Sequence, residues 1–378
     1  MLTDHQVRML GLRAQRLILQ ETGRPASVKQ VLTELCGVQA QGLPAALMSV
    51  HARGLGLAAV DIERERMKVR TIVRTWCICG TLHLVTAEDA CWLVPLLGPV
   101  FISNDRRRMA QLGWDKERTS EGLRLVRDEM ARLGGLTQEE IIQLLKAKGL
   151  PNEGQAPVHL IARAASEGVL CQRPDRGKKP TYVLFAVWVG ELCPISYAAA
   201  LAELANRYLK TYVPASPADL ASWSGLKMSE ARQAWQAIGG QLVPVENPGQ
   251  ILWMLKSQLD WVETAQDWSP VVRLLPKFDT YLLGYANRDL LVAPTFEKYI
   301  HPGGGLIFPT QMVDGRGLGI WTARLRRSVL EVNVKPFERL DSELLPPIEL
   351  EAAGLGKFMG LKPFLRLKVC NRKIPISI

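Results

Sequence analysis

The chain has 378 residues, with 47 Lys and Arg against 37 Asp and Glu and a formal charge of +10. Hydrophobic residues make up 47% and charged residues 22%, enough apolar matter for a sizeable core and too much for a disordered chain. No apolar run approaches the roughly 18 residues of a membrane span, and the mixed charge from Met1 to Arg8 is no signal peptide, so a cytoplasmic, non-membrane chain is expected.

Elements read in chain order show a weak repeat. Ser27 opens one short helix, Thr137 a second and Ser216 a third. In the second and third, an acid three residues on (Glu140, Asp219) completes a capping-box pattern. The second continues through Ala162–Gly168 into strand-like Val169–Gln172 and Thr181–Val187. The third continues through Met228–Ile238 into Gln241–Glu246 and Ile251–Leu255. Helix, turn, helix and two-stranded hairpin is a winged helix-turn-helix outline. In the first copy, Ile72–Cys77 and Thr81–Val85 supply a hairpin around Gly80. After these come strand-like Val271–Leu275, Tyr281–Leu283, Gly305–Phe308, Gly319–Leu325 and Val329–Val334. The expected class is α+β, with tandem winged helix-turn-helix units followed by a small β-barrel or β-rich module. The expected division is 1–100, 101–195 and 196–270 for the three winged units, 271–345 for the β-rich module and 346–378 for a basic tail. Trp76, Trp92, Trp188, Trp223, Trp235 and Trp253 stand among apolar residues and are expected in cores.

Seven cysteines are present, of which only Cys77 and Cys79 lie close together. That is not zinc-ligand spacing, and His5, His51, His83, His159 and His301 are scattered. Reduced thiols, no metal and no cofactor are the expectation. No P-loop, G-x-S-x-G, H-E-x-x-H or Rossmann fingerprint is present.

Basic residues cluster at Arg106–Arg108, at Arg173, Arg176, Lys178 and Lys179 on the second hairpin, at Arg324, Arg326 and Arg327, and from Lys357 to Lys373. Such clusters neutralise phosphates and release counterions, and on helix-turn-helix units they point to nucleic acid. One other element stands out. Gln39-Ala40-Gln41 puts two amides at i and i+2, on one side of an extended stretch. Two amides can orient a water or hold a polar substrate edge, although the same tripeptide also suits a surface turn.

Together with Arg74-Thr75-Trp76, Gly80-Thr81-Leu82-His83-Leu84, Phe278-Asp279-Thr280-Tyr281-Leu282-Leu283-Gly284-Tyr285 and Asp314-Gly315-Arg316, this motif resembles the AlkZ-like DNA glycosylases of the winged-helix superfamily, which include the YcaQ proteins. The resemblance runs from the first helix to about Leu345. It implies a concave DNA-binding surface and hydrolysis of the N-glycosidic bond of N7-alkylated purines, including the unhooking of interstrand crosslinks. The family's Gln-x-Gln motif falls on Gln39 and Gln41. The YcaQ-like branch carries an acid at the second position, so Gln41 places the chain nearer the AlkZ branch, associated with self-resistance to DNA-alkylating natural products.

The expected catalytic residues are therefore Gln39 and Gln41. The expected DNA contacts are Arg74, His83, Arg173, Arg176, Lys178, Lys179 and Arg288, with His83 open to a purely structural reading. Asp279 reads as a turn or structural residue rather than a base. The partner is double-stranded DNA carrying alkylated bases or crosslinks, bound by a monomer. The alternative is a non-catalytic winged-helix DNA-binding or regulatory protein. Such regulators usually dimerise on palindromic sites, and no heptad for that is present.

Overall fold

The computed structural model describes residues 1–18, 26–54, 56–177, 179–193, 195–264 and 270–367. Packing gathers them into two units built from non-adjacent segments: residues 1–62, 205–220 and 238–378 form the first, residues 63–204 and 221–237 the second. Among the described residues no helix is long and apolar enough to cross a membrane.

The helix openings behave as their sequences require. Ser27 caps Val28–Leu35, and Thr137 caps Gln138–Ala147 in a reciprocal box with Glu140. Ser216 and Asp219 exchange the same bonds ahead of Pro217–Ser224. Each cap satisfies backbone donors that the helix itself leaves unpaired.

In the second unit, Ile72–Trp76 pairs antiparallel with Leu82–Thr86, and Leu170–Arg176 with Lys179–Leu184. The two hairpins join where Arg74 opposes Gln172. The second hairpin ends in a helical turn, Phe185–Trp188, where the sequence suggested continued strand. A core of Met109, Trp114, Val126, Ile141, Leu145 and Leu160 packs beneath. Cys77 and Cys79 do not share a strand face, because the strand stops at Trp76 and Cys79 turns left-handed at φ 50°.

In the first unit, Leu242–Asn247 pairs with Gln250–Leu255 around Pro248-Gly249, as expected. The β-rich module is an open sheet in the order Lys362–Leu367, Val329–Pro336, Arg316–Arg326, Thr310–Val313, Val272–Leu275. Two expected strands are absent. Tyr281–Leu283 falls in a helical turn, because Asp279 accepts from the Tyr281 N–H and caps it. Gly305–Phe308 is not a strand; Thr310–Val313 takes that place. The larger departure is at the C-terminal end. Leu345–Met359 is a helix whose Pro346 and Pro347 stand in its first turn, where a missing N–H costs nothing. It crosses over to deliver Lys362–Leu367 parallel to Val329–Pro336, and buries Ile348, Ala352 and Leu355 against Val272, Leu274, Val332 and Val334. The stretch read as a basic tail is thus structural as far as Leu367. Its remaining basic residues, Lys368, Arg372 and Lys373, lie outside the described residues.

Of the tryptophans expected in cores, Trp223 and Trp235 are buried. Trp76, Trp92, Trp188 and Trp253 are half-buried; Trp92 donates its indole N–H to Asp89, and Trp188 lies under Arg70. An apolar body with a polar rim suits that position.

Candidate functional site

The Val28–Leu35 helix ends at Cys36 in the left-handed region, φ 54°, followed by Gly37 at φ 96°. Its last carbonyls are taken from outside: Arg207 donates to Thr33 O at 2.7 Å and Thr211 to Glu34 O at 2.7 Å. The turn throws the chain into the short strand Val38–Gln39. Val38 and Ala40 face inward, fully buried, so alternation turns Gln39 and Gln41 the other way. Gln39 is half-buried, Gln41 is exposed, and Gln39 Nε2 donates to Gln41 Oε1 at 3.0 Å. The two amides expected on one side are joined.

Gly42 then caps the Leu43–His51 helix with no side chain of its own. The missing side chain matters, because a Cβ there would stand 2.8 Å from Cε and 3.2 Å from Nζ of Lys277. Lys277 therefore lies across the residue next to Gln41. A fully buried ion pair holds this arrangement. Arg53, just past the helix, donates from both Nη atoms to Asp279, at 2.9 and 2.7 Å, with both side chains at zero exposure. Ser49 donates to the same carboxylate at 2.7 Å, and Gln15 accepts from Arg53 at 2.9 Å. The helix that follows the glutamines is thereby pinned to the segment carrying Lys277. Asp279 has the structural role that the sequence suggested. Lys277, Arg53, Ser49 and Gln15 were not singled out from sequence; they converge from three distant segments, and only Lys277, two residues before Asp279, adjoins a noticed motif.

The arrangement offers positioned amide donors and acceptors, and amides do not titrate. Among the described residues no group of three or more His, Cys, Asp or Glu side chains is gathered for a metal ion.

The expected DNA contacts do not gather around these glutamines in one unit. Arg288 belongs with them to the first unit, half-buried, and donates to Leu282 O at 2.9 Å. The others belong to the second unit. Arg74 is buried at 8% exposure, and burial pulls its guanidinium below the usual value, with the charge of Asp175 opposing. His83 is buried at 6%. Burial pushes its imidazole down to about 4, which leaves it neutral near pH 7, with Nδ1 donating to Thr81 O at 3.1 Å. Arg173 is half-buried, within 5.5 Å of the Trp188 ring. Arg176 and Lys179 are exposed but paired, with Glu140 and Glu139 respectively. Exposed pairs of this kind are worth about 0–1 kcal/mol. Lys178 lies outside the described residues. Arg106, Arg107, Arg324 and Arg327 present further exposed cations.

A sequence family described as "DNA glycosylase AlkZ-like" matches residues 32–358. The chain is 27% identical to the "Interstrand DNA cross-link repair glycosylase" of Streptomyces sahachiroi over 375 aligned residues, covering 94% of this chain and 96% of the relative. The solved structure of Streptomyces sahachiroi DNA glycosylase AlkZ matches with a TM-score of 0.80 at 24% identity, covering 97% of this chain and 100% of that one.

Proposed function

The chain belongs to the AlkZ-like DNA glycosylase family, and on that premise we propose that it hydrolyses the N-glycosidic bond of N7-alkylated purines in duplex DNA. By the same chemistry it unhooks interstrand crosslinks, as the name of its Streptomyces relative indicates for that protein, and protects a cell against DNA-alkylating natural products. The observation that carries this reading is the joined amide pair, Gln39 Nε2 to Gln41 Oε1.

Alkylation at N7 leaves guanine cationic, so the base departs neutral and needs no acid to protonate it. The bond from C1′ to N9 breaks, the sugar takes up positive charge, and water adds at C1′. Gln39 and Gln41 cannot act as general bases. The bond between them fixes the direction of the Gln39 carbonyl oxygen, which accepts a hydrogen bond from the attacking water and faces the developing cation with a negative dipole. The proton leaves to solvent once the carbon–oxygen bond has formed. Weak catalytic groups also confer selectivity, since an unmodified purine remains a poor leaving group. Lys277 holds a backbone phosphate beside the motif, and the helix–hairpin units act as winged helices on the duplex. The enzyme works as a cytoplasmic monomer.

An N7-methylguanine duplex treated with the protein and then with alkali should break at the modified guanines while an unmodified duplex stays whole. Equal cleavage of both, or of neither, would remove the N7-purine assignment. Binding to undamaged duplex should weaken steeply with salt. About five phosphate contacts give a log–log slope of about −4 or steeper, and a flat titration would argue against a DNA-facing basic surface. Base release should be unchanged in EDTA; loss of activity restored by zinc would contradict a mechanism built on amides alone.

A further inference from the structure

Pro95 lies inside the long helix Ala87–Gln111. Having no N–H, it leaves the carbonyl of Cys91 without its usual partner four residues on. The backbone N–H of Cys193 takes that place, at 3.3 Å. That bond joins the two backbones directly, and a disulfide asks for Cα atoms roughly 4.4–6.8 Å apart. The side chains converge as well. The Cys91 thiol donates to Glu191 O at 3.4 Å, and the Cys193 thiol reaches the same oxygen at 3.8 Å. Both sulfurs thus stand against one carbonyl oxygen. Cys91 is buried and Cys193 exposed, and both belong to the second unit.

We propose that Cys91 and Cys193 form a thiol–disulfide exchange site whose substrate is a low-molecular-weight disulfide of the glutathione type. Cys193, open to solvent, loses its proton and attacks one sulfur of the disulfide. The sulfur–sulfur bond breaks, one thiolate leaves and is protonated, and Cys193 carries a mixed disulfide. Cys91 then loses its proton and attacks the Cys193 sulfur, expelling the second thiolate. Two protein thiols are oxidised and one small disulfide is reduced to two thiols, with no other reagent.

Burial first, then the neighbouring Cys193, holds the Cys91 thiol up at about 11. It is therefore the resolving partner, not the one that meets the oxidant. Cys77 and Cys171 are pushed up to about 12 by burial and stay silent. The link would clamp the strap after Trp188, which lies under Arg70 at 4.2 Å and Arg173 at 5.5 Å, to the start of the long helix. It thus fixes the exit of the second hairpin. This holds whatever base the enzyme removes.

The test is incubation of the full-length native protein with oxidised glutathione, followed by acid quenching, intact mass and peptide mapping. The wild type should lose the mass of two hydrogens, yield a Cys91–Cys193 linked peptide, and gain about 5 °C or more in thermal midpoint, all reversed by dithiothreitol. Cys91→Ser should stop at one glutathione on Cys193, and Cys193→Ser should leave Cys91 unmodified. A wild-type protein that keeps glutathione on Cys193 without closing would overturn the proposal. So would a Cys193 that stays reduced or links to another cysteine.

Discussion

Replacing Asp279 by alanine should cost about 3–5 kcal/mol of stability, because it strands the Arg53 guanidinium in a site with no solvent. The carboxylate accepts two bonds from Arg53, one from Ser49 and one from the Tyr281 N–H. All four lose that acceptor at once, and Arg53 keeps only its neutral partners Gln15 and Ser49. Asp279→Asn keeps one acceptor and the cap, and should cost less. Replacing Arg53 and Asp279 together by apolar residues of similar volume should cost less than either single change, since no buried charge remains. Urea unfolding followed by circular dichroism reads all four proteins. An Asp279→Ala protein within about 1 kcal/mol of wild type, the effect of an ordinary substitution, would mean that the pair does not hold the motif's helix.

The particular residues show why the sequence disclosed some of this and not the rest. Helix starts were readable because a cap is a local matter: Thr137 and Glu140 bond each other across three residues. The three hairpins were readable for the same reason, their strands lying either side of Gly80, Gly177 and Gly249. The amide pair was readable because residues i and i+2 of an extended segment share a face. What escaped depends on distance. Asp279 reads as a turn or structural residue, but its partner Arg53 is 226 residues away and cannot be read from the neighbouring sequence. Pro346-Pro347 look like a break in sequence, yet they open a helix whose strand completes the sheet. The second hairpin looks like a bare cationic wing, but Glu139 and Glu140, from the capped helix, already pair with Lys179 and Arg176. Charge counted along a chain does not reveal partners supplied by another element.

Gln39→Ala and Gln41→Ala should each slow base release by roughly thirty-fold to a thousand-fold, the equivalent of about 2–4 kcal/mol for a lost positioning hydrogen bond. DNA affinity and folding should hardly change, since Gln41 is exposed and Gln39 half-buried, outside the apolar cores. Either substitution removes the bond that orients the other amide, so the double variant should be little worse than the more damaged single one. Gln41→Asp imitates the acid-bearing branch of the family and supplies a titrating base. It should retain activity on simple N7-methylguanine and lose some on bulky adducts. The decisive measurement is single-turnover release of N7-methylguanine by wild type and the two alanine variants, taken beside a binding titration on the same duplex. A fall of at least about thirty-fold in the rate at unchanged affinity is the expected result. Release at the wild-type rate by both alanine variants would contradict it, and would leave Gln39 and Gln41 as no more than a surface turn.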